Sequence, residues 1–167
     1  MKRTVLIIIA FLLPVTLTIH SCKSKTKETA GTEMAEKMME QATGADIELE
    51  NGGANVTIEG NGEKVQINQQ AREWPAEISG EVPQLPDGEI IRVVKSETNE
   101  NFTWNVYYKP VPVETISAYG DAMKSNGFEV MKMQMPKGGQ VTGQKGEFLI
   151  MCIYSEETCM VSIQQPK

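Results

Sequence analysis

Apolar and polar positions alternate through much of this chain. Ile47 and Leu49, Val56 and Ile58, and Val65 and Ile67 form three apolar pairs, each with a polar residue between. They lie nine residues apart, within a near-repeat that aligns residues 50–58 with residues 59–67. Strict alternation is the period of a half-buried strand, and Asn51-Gly52 and Asn61-Gly62 supply turn residues that tolerate positive φ. The pattern predicts a three-stranded meander. A helix is expected before it, because Met34, Met38 and Ala42 recur at i, i+4 and i+8 and Gly44 ends the run.

Residues 69–88 have three prolines and no period. They read as a connector with apolar punctuation at Trp74, Ile78, Val82 and Leu85. It either straps across the following domain or exposes a recognition segment at Trp74-Pro75. Beyond it, residues 89–94 and then Phe102, Trp104, Val106 and Tyr108 read as two strands. A helix is expected over 113–126, with Pro112 suited to its first position, Gly127 at its C-cap side, and a stripe of Ile116, Tyr119 and Met123. Strands follow at 128–135, near Val141, at 147–154 and at 159–163. Residues 148–154 are apolar on both faces and read as the central strand. The expected fold is α+β: a mainly antiparallel sheet of about five strands (ββαβββ, residues 89–167) with one helix across a face. Residues 33–68 form the short helix and β-meander before it.

The first residues carry a different pattern. Met1-Lys2-Arg3 precedes an apolar run, Val5 to Leu13, that continues with interruptions to Ile19 and contains Pro14. It is shorter than the about 20 residues that span a bilayer and has the layout of a signal peptide. Ile19-His20-Ser21-Cys22 resembles the lipobox of bacterial lipoprotein precursors, with a histidine at a usually small position. The resemblance implies cleavage after residue 21, lipid on Cys22, and residues 22–32 as a flexible tether. Lipid chains contribute about 0.8 kcal/mol per buried methylene, so two or three hold a protein stably. The implied location is the bacterial cell envelope, on the periplasmic side or the cell surface.

The 167 residues carry 16 basic and 22 acidic side chains. This acidic balance argues against nucleic-acid partners. Removing residues 1–21 would leave 14 basic against 22 acidic side chains, a formal charge of −8, and no histidine. Catalysis through histidine and histidine-based zinc sites would then be excluded, so no enzyme and no cofactor are expected.

Three groups could carry other chemistry. Cys152 and Cys159 flank a predicted hairpin. They would be directly opposed across a two-residue loop at 155–156, or diagonal across a four-residue loop. Either arrangement suits a structural disulfide, and two buried thiols are the alternative. Met131, Met133 and Met135 share a strand face, either as core side chains or as soft ligands for Cu(I). Phe102, Trp104 and Tyr108 are core residues or, with Trp74, an exposed surface for sugars or a partner protein. Over residues 33–165 the chain resembles bacterial lipoproteins of unknown function. The matching pieces are Gly44, Trp74-Pro75, Val82-Pro83, Gly88-Glu89-Ile90 and Asn126-Gly127-Phe128. The resemblance implies a fold and a location, without an activity. The expected function is binding, to a protein partner at the envelope or, alternatively, to a small ligand or Cu(I).

Overall fold

The computed structural model describes residues 35–41, 43–135 and 138–167. The expected signal peptide, the expected lipid site Cys22 and the expected tether lie outside them. A short helix, α1, covers residues 35–41. Strands β1 (Asp46–Glu50), β2 (Asn55–Gly60), β3 (Glu63–Asn68), β4 (Ile90–Glu97) and β5 (Asn101–Tyr108) follow. Helix α2 (Glu114–Ser125) leads to β6 (Glu129–Met135), β7 (Gly138–Lys145), β8 (Phe148–Ser155) and β9 (Thr158–Pro166). All nine strands form one antiparallel sheet in the order β1-β2-β3-β4-β5-β9-β8-β7-β6.

This corrects the expected α+β fold. The five-stranded sheet with a helix across it and a separate meander does not form. β3 pairs with β4 (Ile67 opposite Val94), so the meander continues into the rest of the sheet. The proline-containing connector hid this continuity, because pairing across the intervening residues 69–89 leaves no local period. β7 was also longer than its single strong apolar residue, Val141, suggested. A Cβ on Gly143 would stand 2.7 Å from Met123 Sδ, so glycine there makes room for α2. β8 is an interior strand, but β5 holds the middle position.

The two faces of the sheet are dressed differently. One face carries the core. Trp104, Val106 and Tyr108 of β5 stand opposite Ile163, Val161 and Cys159 of β9, and Ile150, Cys152 and Val141 continue the layer. The connector lies over this face and buries Ile78, Val82 and Leu85. The Ser79 N–H donates to Gln165 Oε1 at 3.0 Å, fixing the connector to β9. α2 packs on β6 and β7 and buries Tyr119 and Met123. The Tyr119 hydroxyl donates to the Pro83 carbonyl at 3.0 Å, and Thr115 Oγ1 donates to Asp87 Oδ2 at 3.2 Å. Val113, not a residue before it, is the N-cap, so Pro112 precedes the helix rather than opening it. At the other end the Phe128 N–H donates to the Met123 carbonyl and the Gly127 N–H to the Lys124 carbonyl. With Gly127 at φ 83, this is a Schellman C-terminus.

Across β1–β3 the polarity is inverted. Their apolar residues point away from the connector, and Asn55, Thr57, Gln66 and Asn68 lie on the face continuous with Val93 and Trp104. The free edge of β1 is blunted by α1. Glu36 Oε1 accepts from the Leu49 N–H at 2.7 Å, and Glu40 Oε1 accepts from the Ile47 N–H at 3.3 Å. These carboxylates occupy donors that an added strand would need. β6, at the opposite edge, has a paired strand on one side only.

Candidate functional site

The sheet face opposite the core is open over β6–β9. On the edge strand β6, Val130, Lys132 and Gln134 turn toward α2, and alternation sends Met131, Met133 and Met135 to the other side. Lys132 fixes that choice. Its Nζ donates to Asp121 Oδ1 at 2.9 Å and to the Ser117 carbonyl at 3.1 Å, both on α2. The lysine holds the Asp121 carboxyl below the usual carboxylate range. A one-residue slip of β6 would drive the lysine into solvent and the methionines under the helix, so register and side-chain facing are tied together.

The outward methionines are strongly exposed, Met131 by 75%, Met133 by 62% and Met135 by 51%. Registration extends the apolar surface beyond them. Met131 lies opposite Thr142, and Thr142 opposite Met151. Met133 lies opposite Gln140, then Ile153, then Met160. Leu149 is exposed on the same face, and Met151, Ile153 and Met160 are half-buried. The face therefore holds five methionines. Sequence reading found only the three on β6, because the two apolar faces of β8 suggested burial on both sides. The apolar side chains form two bands, on β6 and on β8–β9, with Gln140, Thr142 and Gln144 of β7 between them. Exposed apolar groups of this kind mark interaction sites, and thioether side chains adapt their shape to a partner.

The geometry is less suited to a Cu(I) centre. Met131 and Met135 are four residues apart on extended chain, about 13 Å, which two thioethers cannot close across one ion. Adjacent pairs, Met131 with Met133 or Met133 with Met135, can share one. Among the described residues no three His, Cys, Asp or Glu side chains converge on a metal position.

Cys152 and Cys159 are both fully buried, with their sulfurs 3.0 Å apart. That is a contact between free thiols, wider than the about 2.05 Å of a disulfide. The expected disulfide is corrected accordingly. Pairing of Tyr154 with Cys159 and of Cys152 with Val161 places the cysteines diagonally, with Glu156 and Glu157 at positive φ in the turn. The contact with the Cys159 thiol, and then burial, push the Cys152 thiol well above its ordinary value of 9.0. The folded protein therefore keeps a proton that the unfolded chain releases, so stability is complete below about pH 9 and falls above it. Under reducing conditions the unfolding free energy should drop by about 1.4 kcal/mol per pH unit from this group. Above about pH 10 the decline steepens, since burial also raises Tyr108 and Tyr119. Urea titrations between pH 7 and 10.5 read this directly. A Cys152→Ala variant should lose the part of the slope that begins near pH 9, and a flat wild-type profile would contradict the assignment.

The aromatic residues separate. Trp104 and Tyr108 are buried, so they belong to the core and present no surface. Phe102 and Trp74 are half-buried against that core. Phe102 sits 5.5 Å from Trp104, ring centre to ring centre. Trp74 lines two open grooves with polar neighbours, one of which reaches Trp104 and the other Tyr108.

No protein-family model matches the chain, and neither a curated protein nor a solved structure matches it. Among the described residues no helix is long and apolar enough to cross a membrane.

Proposed function

We propose that this protein is a non-enzymatic binding module of the bacterial cell envelope, held to a membrane by lipid on Cys22. Its methionine face docks a partner protein. The anchor is supported by the basic start, the apolar run and Ile19-His20-Ser21-Cys22. The docking role rests on one observation: Met131, Met133 and Met135 stand out from an edge strand, on the same face as Leu149, Met151, Ile153 and Met160 across the polar side chains of β7. A soluble domain leaves large apolar side chains grouped in this way when another surface covers them.

The face is broad, and the carboxylate of Glu129, opposite Gln144, and the hydroxyl of Ser162, opposite Met151, stand on strands at opposite ends of it, which suits a protein surface better than a reacting small molecule. The test uses the full-length protein, cross-linked in the intact envelope and purified under denaturing conditions. Wild type should carry one stoichiometric protein partner, and Met131→Glu/Met133→Glu should lose it. A control charge on α2, Ser117→Glu, should retain it. Equal recovery by the face variant, or no partner with wild type, would refute the proposal.

A further inference from the structure

On the opposite side of the sheet, the inverted polarity of β1–β3 builds a second surface. A groove of ≈ 670 Å³ runs between the strands and the connector. Its floor is a grid of uncharged polar side chains, with Asn55 opposite Asn68 and Thr57 opposite Gln66. Asn68 Oδ1 accepts from the Gln70 N–H at 2.9 Å. Among the described residues, the side chains of Asn55, Thr57 and Gln66 have no hydrogen-bond partner in the protein. The wall is Trp74, whose indole is anchored on the core and half-exposed.

A second, smaller groove of ≈ 390 Å³ lies on the connector side and is also lined by Trp74 and Arg72. Tyr108 lines it too. That residue is 3% exposed, so it closes the groove from the core side.

We infer that the paired grooves around Trp74 bind a neutral oligosaccharide, with sugar rings on either side of the indole. Charge selects this class. In the larger groove Lys95 pairs with Glu77 at 3.1 Å and Arg72, Glu50 and Glu73 also line the walls, while the smaller one is lined by Arg72 and Glu89, so both mix charges of opposite sign. Mixed signs favour no single ionic ligand, and among the described residues no three His, Cys, Asp or Glu side chains converge to hold a metal. A peptide strand would seek an unpaired sheet edge, whereas this floor is the face of paired strands. A sugar matches what is present: its C–H face packs on an indole, and its hydroxyls exchange hydrogen bonds with amides and hydroxyls.

This site is separate from the methionine face, so either can fail alone. The probes are neutral tetrasaccharides of glucose, xylose, mannose and N-acetylglucosamine, added to the mature protein. Only two tryptophans are present and Trp104 is 1% exposed, so a ligand-induced change in emission reports Trp74. At least one sugar should give a saturable change below about 10 mM. Trp74→Ala should weaken binding, followed by calorimetry, about tenfold or more. Asn55→Ala/Gln66→Ala, which alters only groove-floor side chains, should weaken it by about the same factor with unchanged circular dichroism. If none of the four sugars binds, or if the Asn55/Gln66 variant binds as tightly as wild type, the inference is overturned.

Discussion

Trp104→Ala is expected to lower the unfolding free energy by about 3–5 kcal/mol. The indole is 1% exposed and stands opposite Ile163, where β5 meets β9. That junction joins the five-stranded meander β1–β5 to the four-stranded meander β6–β9. Truncation would open a cavity between the sheet and the connector. It would also remove the ring beneath Lys95, whose Nζ lies 5.4 Å from the ring centre. A domain of this size has about 5–15 kcal/mol in total, so the variant should unfold at a markedly lower urea concentration. A midpoint within error of wild type would mean that the sheet is not joined through this residue.

The second large effect concerns binding. Met131→Glu/Met133→Glu should weaken the partner complex by about 100-fold or more, because docking would bury two uncompensated carboxylates. The same change should alter folding stability by less than about 0.5 kcal/mol, since both side chains face solvent. The separation of the two effects is what a docking face predicts. A core role for these methionines would instead predict a large stability loss.

Local features of the fold were legible in the sequence. The alternating pairs Ile47/Leu49, Val56/Ile58 and Val65/Ile67 lie in β1, β2 and β3. The helix expected over 113–126 forms at Glu114–Ser125, with Tyr119 and Met123 buried. Long-range pairing was not legible. Nothing in Val65 or Ile67 announces Val94 as the neighbour, and nothing in Tyr108 announces Cys159. Those pairings join segments separated by the connector or by α2 and three strands, where periodicity carries no information. The binding face was half legible for the same reason. Met131, Met133 and Met135 show their common side through spacing alone, whereas Met151 and Met160 join them only through strand order. The inverted polarity of Asn55, Thr57 and Gln66 is likewise invisible until β3 is placed beside β4.

Methionine oxidation measured in the envelope and in the purified protein tests the docking face most directly. In purified protein, dilute peroxide should oxidise Met131, Met133 and Met135 at rates similar to Met38, which is 64% exposed, and should spare the buried Met123. In the intact envelope, with sulfoxides quantified by mass spectrometry, Met131, Met133 and Met135 should be protected about tenfold relative to Met38. Oxidation of all three at the rate of Met38 in the envelope would show the face uncovered where the protein works, and would contradict its role as a docking surface.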